Sequence, residues 1–165
     1  MFAARCRVDG CGRPALDPGP GTCAGHLPDR GAYLADLAKR LVEEGGGSGA
    51  CLAGLEWPGA VLPYADLAGA DLAGADLAGA DLRGADLSLA SLRGANLSRA
   101  CFFAAKLFAA DLAGADLWGA DLTRANLKRA DLRGARLDGA ILRSANLGGA
   151  RLEPGAVDAA RLDDS

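Results

Sequence analysis

The sequence has few of the side chains on which most enzyme active sites depend. Its 165 residues include a single histidine, and aromatic residues make up 5% of the chain. Neither the serines nor Cys101 has a base at a spacing typical of an activated nucleophile. No glycine-rich loop matches a phosphate-binding motif. We therefore expect a protein that is not an enzyme.

Long apolar runs are also missing. No continuous apolar stretch reaches the roughly 18 residues of a transmembrane helix. The start of the chain, MFAARCR, lacks the apolar segment of a secretory signal peptide. These absences favour a cytoplasmic, bacterial-type protein whose cysteines are reduced or bound to a metal.

What the sequence does contain is a five-residue period. Every fifth residue from Leu52 to Leu162 is large and apolar; 20 of these 23 central positions are Leu, and 21 of the 23 positions two residues earlier are Ala. A helix cannot use this period, because five residues turn through about 500° and would spread the leucines over every side. The period is instead typical of a repeat architecture in which each pentad supplies one side of a coil.

The pentad Ala65–Gly69 shows what such a coil requires. If the chain turns by about a right angle per pentad, four pentads close one square coil of 20 residues. Leu67 and Ala65 then point inward, and Asp66 points outward. Coils stacked at roughly 4.8 Å would form a solid rod from residues 50–164, and its filled interior would leave no pocket for a substrate.

The pentads ADLAG, ADLRG, ANLSR, ADLWG, ADLTR and ANLKR resemble the pentapeptide repeat family, whose consensus is A-(D/N)-L-x-x. This resemblance implies an all-β solenoid, a right-handed quadrilateral β-helix, over residues 50–164. It also brings a functional expectation, since some members of the family are quinolone-resistance proteins. These are rod-shaped dimers thought to imitate DNA and to bind DNA gyrase.

Cysteine and histidine cluster near the start of the chain. Cys6, Cys11, Cys23 and His26 have the spacing Cys-x4-Cys-x11-Cys-x2-His, which suits four tetrahedral zinc ligands. Because all four positions would be filled, the zinc would be structural. We predict a small zinc-binding module over residues 1–28. A disordered tail, or one disulfide with a free thiol, remains an alternative.

Residues 29–44 have the pattern of a short amphipathic helix, with Asp29 as N-cap and an apolar stripe of Leu34, Leu37, Leu41 and Val42. A solenoid exposes apolar side chains and unpaired strand edges at its first coil. We expect this helix to cover Leu52, Leu55 and Trp57 as a cap, with a flexible glycine-rich linker completing residues 29–49. A partner-binding helix is the alternative.

Charge varies along the predicted rod. Nine aspartates precede central leucines, and their short side chains are expected to accept hydrogen bonds from nearby backbone amides. Residues 56–99 have a net charge of −3, whereas residues 121–152 have a net charge of +4. A DNA mimic needs negative potential along its length, so this distribution disfavours gyrase as the partner. The overall pI of about 5.1 likewise disfavours direct nucleic-acid binding.

Apolar side chains interrupt the polar exterior near the middle of the repeat. Phe103, Phe108 and Trp118 each follow a central position and should face outward, with Leu89 close to Phe108. Exposed aromatic side chains are typical of contact surfaces; the alternative is local packing, in which the rings lie along neighbouring corners and shield the backbone. The sequence therefore predicts a scaffold that binds a protein of unknown identity through these residues, and it leaves a homodimer open.

Overall fold

The computed structural model describes residues 30–156, 158 and 160. Its one helix in this part of the chain, α1, spans Arg30–Val42. The four predicted zinc ligands Cys6, Cys11, Cys23 and His26, and the predicted N-cap Asp29, lie outside the described residues.

From residue 51 onward the chain forms a ladder of parallel bridges. Each bridge joins a residue to the one 20 positions later, beginning with Cys51 and Asp71 and ending with Asp131 and Arg151. Four pentads therefore complete one coil, as the sequence predicts. The bridges are isolated ones, because a side of one pentad is too short for an extended strand.

Coils and sides can be defined from this register. Coil 1 is residues 50–69, coil 2 is 70–89, coil 3 is 90–109, coil 4 is 110–129 and coil 5 is 130–149. The four sides of coil 1 are centred, in chain order, on Leu52, Trp57, Leu62 and Leu67, and every later coil repeats them 20 residues further on.

Each corner is a tight turn. In the pentad Ala65–Gly69, the backbone N–H of Ala70 donates to the carbonyl of Leu67 at 3.0 Å. Gly69, the third residue of this turn, has φ 65°. A type II turn requires such a positive φ at that position, and glycine adopts it without steric cost. The fifth place of the pentad is therefore the corner of the square.

Between Ala65 and Ala130 the buried interior of the rod consists of leucine and alanine, apart from Phe102; in coil 1 the central residue Trp57 is partly buried against it. The central residues from Leu67 to Leu127 and the alanines two places before them are buried. This confirms the predicted inward positions. Each buried leucine contributes about 2 kcal/mol relative to exposure, so the leucine column stabilises a fold in which no helix crosses the repeat.

Helix α1 packs against the first coil. Leu37 and Leu41 are buried in the same apolar cluster as Leu52 and Leu55. The helix ends at Val42, and Gly45, with φ 66°, follows it, as expected of a glycine after a helix C-terminus. Whether α1 caps the first coil, as the sequence predicts, stays a prediction.

The glycine-rich segment is anchored rather than free. Gly49 N–H donates to the Ala68 carbonyl at 2.8 Å, and Ser48 Oγ donates to the same oxygen at 3.1 Å. An added Cβ at Gly47 would overlap the Asp66 carbonyl oxygen and approach Leu41 Cδ2 to 2.8 Å. The expected flexible joint is thus held on coil 1, because only glycine fits this close backbone approach.

Candidate binding surface

The nine aspartates before central leucines have a structural role. In each case one carboxylate oxygen accepts the backbone N–H two residues later, at 2.9–3.2 Å, and Asn96, Asn126 and Asn146 do the same. This local turn is the one expected from the sequence. The aspartates therefore form no distinguished acidic pair for catalysis.

The predicted contact residues lie on the outside of coils 2 to 4. Leu89 is 67% exposed, Phe103 38% and Trp118 36%, and Phe108 is half-buried. Phe103 lies on the third side, Phe108 on the fourth and Trp118 on the second. The backbone N–H of Leu89 donates to the Phe108 carbonyl at 2.9 Å. The aromatic rings therefore extend round three sides instead of forming one flat patch.

Each of these three rings has an arginine guanidinium above it. An arginine beside an aromatic face is attracted by the electrons of the ring. The pairs, with the distance from guanidinium carbon to ring centroid, are Arg99–Trp118 at 4.6 Å, Arg124–Phe103 at 5.8 Å and Arg129–Phe108 at 6.0 Å. We call these six residues the aromatic–arginine band. Arg136 approaches Trp118 from the next coil at 5.8 Å.

All three arginines of the band occupy corners where other pentads have glycine. Their φ angles are 58° for Arg99, 59° for Arg124 and 62° for Arg129. The left-handed conformation costs a residue with a side chain about 1–2 kcal/mol, whereas an exposed cation–π contact returns about 0.5–1 kcal/mol. Contact with the rings therefore does not fully offset the backbone strain.

The basic half of the rod also contains tightly held carboxylates. Arg133 donates to Asp131 from its backbone N–H and from Nε at 2.8 Å, and its Nη2 lies 2.5 Å from Asp131 Oδ2. These hydrogen bonds, joined by the charge of Arg151, lower the pKa of Asp131 from 3.8 to about 2. In coil 2, hydrogen bonds from Arg83 similarly lower the pKa of Asp81.

The arginines of the band were not identified from the sequence. Each ring and its partner are 19 or 21 residues apart, so a corner side chain meets a ring on the adjacent coil. A usable signal was present, because ANLSR, ADLTR and ANLKR end in arginine where most pentads end in glycine.

Neither a metal site nor a membrane span is found in the described part of the chain. Within residues 30–156, 158 and 160, no three Cys, His, Asp or Glu side chains are grouped as metal ligands require. No helix among the same residues has the length and hydropathy needed to span a bilayer. The thiols of Cys51 and Cys101 are free and half-buried.

The family model for pentapeptide repeats matches this sequence in overlapping segments: residues 48–77, 70–107, 105–143 and 120–153. The matches together cover more than half of the chain. The protein belongs to the pentapeptide repeat family. The 20-residue coil described above is thus the right-handed quadrilateral β-helix that members of this family form.

The chain is similar to several pentapeptide repeat proteins of known structure. Rfr23 from the cyanobacterium Cyanothece 51142 is 28% identical, covers 79% of this chain and 99% of its own, and has a TM-score of 0.66. HetL, involved in heterocyst differentiation regulation in Nostoc sp. strain PCC 7120, is 36% identical over 63% of this chain and 60% of its own, with a TM-score of 0.33. QnrB1, a plasmid-mediated fluoroquinolone resistance protein, is 24% identical over 70% and 64%, with a TM-score of 0.33. No curated protein matches the sequence.

Proposed function

We propose that this pentapeptide repeat protein is a non-enzymatic scaffold that binds another protein through the aromatic–arginine band. The observation that carries the proposal is the coincidence of three strained arginine corners with three outward rings. Strain that local contacts do not offset is typical of functional positions.

The chemistry of the band suits a protein partner. Tryptophan and arginine are enriched among the residues that dominate binding energy at protein interfaces. A guanidinium lying on a ring is held in place, so little side-chain entropy is lost when a carboxylate of the partner binds it. We therefore expect a partner segment that combines apolar side chains with acidic ones.

Partner capture with matched variants tests this proposal. The triple variant Phe103→Ala/Phe108→Ala/Trp118→Ala should lose proteins that the wild type retains, and Arg99→Gly/Arg124→Gly/Arg129→Gly should lose the same ones. The control is Arg83→Ala/Arg93→Ala/Arg133→Ala, which removes equal charge from arginines that pair with aspartates. Equal losses from the control and the arginine variant would refute a specific role for the band.

The DNA-mimic alternative makes a separate prediction. Because residues 121–152 have a net charge of +4, the rod does not present continuous negative potential along its length. We expect the purified protein at micromolar concentration to leave gyrase supercoiling unchanged, with or without a quinolone. Inhibition, or protection from the quinolone, would favour the alternative.

We also propose a structural zinc ion bound by Cys6, Cys11, Cys23 and His26, supported by the spacing of these residues in the sequence. Metal analysis should find about one zinc per wild-type chain and less in Cys23→Ser. Zinc that is stoichiometric in both proteins would contradict this ligand set.

The packing of Leu37 and Leu41 on the first coil supports a capping role for α1. A cap of this kind covers apolar side chains and strand edges that would otherwise promote aggregation.

A further inference from the structure

The outward column on the third side of the rod differs from the columns on the other sides. It contains the residues before the central positions, and parallel bridges join them in the order Val61, Asp81, Cys101, Asp121, Ile141. Apolar side chains occupy coils 1, 3 and 5 of this column, and aspartates occupy coils 2 and 4. Apart from Cys51, the equivalent columns of the other sides contain only polar or charged residues.

This side also carries much of the exposed apolar surface of the described rod. Val61 is 62% exposed and Tyr64 is 76% exposed, both in coil 1. Phe103, in the pentad of coil 3 that contains Cys101, is 38% exposed. Tyr64 adopts φ 61° at its corner, and its ring lies over Gly84, where an added Cβ would come within 2.5 Å of two ring carbons. Exposed apolar patches of this kind mark association surfaces.

The order of apolar and acidic residues in this column is the same when it is read from either end, with Cys101 at its centre. Consider a two-fold axis that passes the third side at Cys101, perpendicular to the rod axis and parallel to the chain direction of that side. It generates a second copy whose rod axis runs in the opposite direction and whose third side faces the third side of the first copy. Val61 would then oppose Ile141 of the second copy, and Cys101 would oppose its own counterpart. Self-complementarity about such an axis is what a symmetric dimer requires.

Charge favours the same arrangement. Antiparallel rods place the acidic segment 56–99 of one copy along the basic segment 121–152 of the other, with net charges of −3 and +4. Asp81 would oppose Asp121 across the contact, which is a pairing of like charges; the ion pair that Arg83 Nη2 makes with Asp81 at 2.6 Å reduces its cost. These charges are spread over all four sides, and on the third side itself Asp81 and Arg83 cancel in coil 2. The oppositely charged halves therefore orient the encounter at long range, and the register depends on the apolar column.

We propose that the third side of the rod binds a second copy of this chain in antiparallel orientation, with the two-fold axis at coil 3. The proposal does not depend on the partner bound by the aromatic–arginine band, although Phe103 belongs to both surfaces. Its test is carried out on the full chain alone, so partner capture and self-association can fail separately.

Sedimentation velocity over a wide concentration range tests the contact itself. The wild type should shift from monomer to dimer as concentration rises. Ile141→Asp should weaken dimerisation by at least about tenfold, equivalent to about 1.4 kcal/mol, because a carboxylate would face Val61 of the second copy. This change restores the A-D-L consensus, and the new side chain can accept the Arg143 N–H, so folding should be preserved. Asn146→Asp adds the same charge one pentad later on the fourth side, and it should leave dimerisation unchanged.

Cross-linking tests the orientation. Two facing sheets lie about 10 Å apart, so a bis-maleimide of similar span should join Cys101 to Cys101 between copies. A mixture of isotope-labelled and unlabelled chains would identify the linked peptides as intermolecular by mass spectrometry. Cys51 should not link to Cys51, because the two lie five coil spacings, about 24 Å, apart along the rod and belong to the first side, not to the contact.

Salt distinguishes this dimer from end-to-end stacking of rods. Added salt should weaken the antiparallel dimer by screening its charged halves, whereas apolar stacking of coil ends should not weaken. The proposal is overturned by a chain that stays monomeric at about 1 mM, by a dimer that Ile141→Asp leaves intact, or by a dimer without Cys101–Cys101 links.

Discussion

Coils 2 and 4 follow the same backbone path around the same leucine and alanine interior, but they differ at their corners. Coil 2 has glycine at three of its four corners, and Leu89 at the fourth. Coil 4 has glycine at two corners and Arg124 and Arg129 at the others, with φ 59° and 62°. The same fold is therefore built once with one strained corner, Leu89 at φ 62°, and once with two.

Coils 2 and 4 are alike in the residues that form the core and differ in the residues that form the outer surface. The inward residues of both coils are the same alternation of alanine and leucine, and all of them are buried. The corner residues differ. Those of coil 2 are mostly glycines, whereas Arg124 and Arg129 of coil 4 lie over the rings of Phe103 and Phe108 in coil 3. By coil, the corners that combine a side chain with a positive φ number one, one, three, two and one from coil 1 to coil 5, so backbone strain is concentrated in coils 3 and 4, where the aromatic rings lie.

The largest expected effect tests whether the two interiors are equivalent. Leu77→Ala in coil 2 and Leu117→Ala in coil 4, both fully buried, should each lower the free energy of unfolding by about 2–5 kcal/mol, since both leave a cavity in the leucine column. Chemical denaturation measures this. Asn96→Ala is the outward control and should cost less, because it removes hydrogen bonds with Ser98 and Asp76 but no core volume. Clearly different losses at Leu77 and Leu117 would contradict the equivalence, and a larger loss at Asn96 than at either leucine would contradict the inward assignment of the leucines.

A smaller effect tests the corners. Gly74→Ala should destabilise the protein by about 1–2 kcal/mol, because φ is 64° there and no atom lies close enough for the methyl group to contact. The reverse change in coil 3, Ala104→Gly at φ 55°, should stabilise it by up to about 1 kcal/mol, reduced by the greater freedom of glycine in the unfolded chain.

Gly84→Ala extends this comparison, since the added methyl group must also displace the Tyr64 ring. Its cost should exceed that of Gly74→Ala. If all three substitutions left the unfolding midpoint unchanged, corner strain would have no measurable effect on the stability of the coils.

Much of the fold was predictable from the five-residue period, because a period sets which residues share a side. The inward positions of Ala95 and Leu97, the 20-residue coil and the turn made by Asp66 all follow from it. The anchoring of Gly47 was not predictable, since it depends on the close approach of its own backbone to the Asp66 carbonyl of coil 1.

The candidate site was predictable only in part. The sequence alone identifies the three aromatic residues, because they occupy outward positions that are otherwise mostly small or polar: Phe103, Phe108 and Trp118. Their arginine partners depend on the direction in which a corner side chain leaves the coil, which the period does not specify. Likewise, the column from Val61 to Ile141 is recognised only once the bridges show which residues stack.

The smallest expected effect compares the identical pentads ADLRG in coils 2 and 5. Asp81 has Arg83, but Asp131 has Arg133 and also Arg151, 3.6 Å away, and the pKa of Asp131 falls to about 2. A carboxyl group whose pKa is lower when folded stabilises the protein above the unfolded value of about 3.9, and that contribution is lost as pH falls toward about 2.

We therefore expect the Asp131 carboxyl to titrate at lower pH than Asp81 in an NMR titration. Arg151→Ala should raise the pKa of Asp131 toward that of Asp81 while leaving Asp81 unchanged, because the two lie three coils apart. Asp131→Asn should flatten the fall in stability between pH 4 and pH 2, by less than about 1 kcal/mol for a pair near the surface. Equal midpoints for the two aspartates in the wild type would show that the basic half of the rod does not alter its own carboxylates.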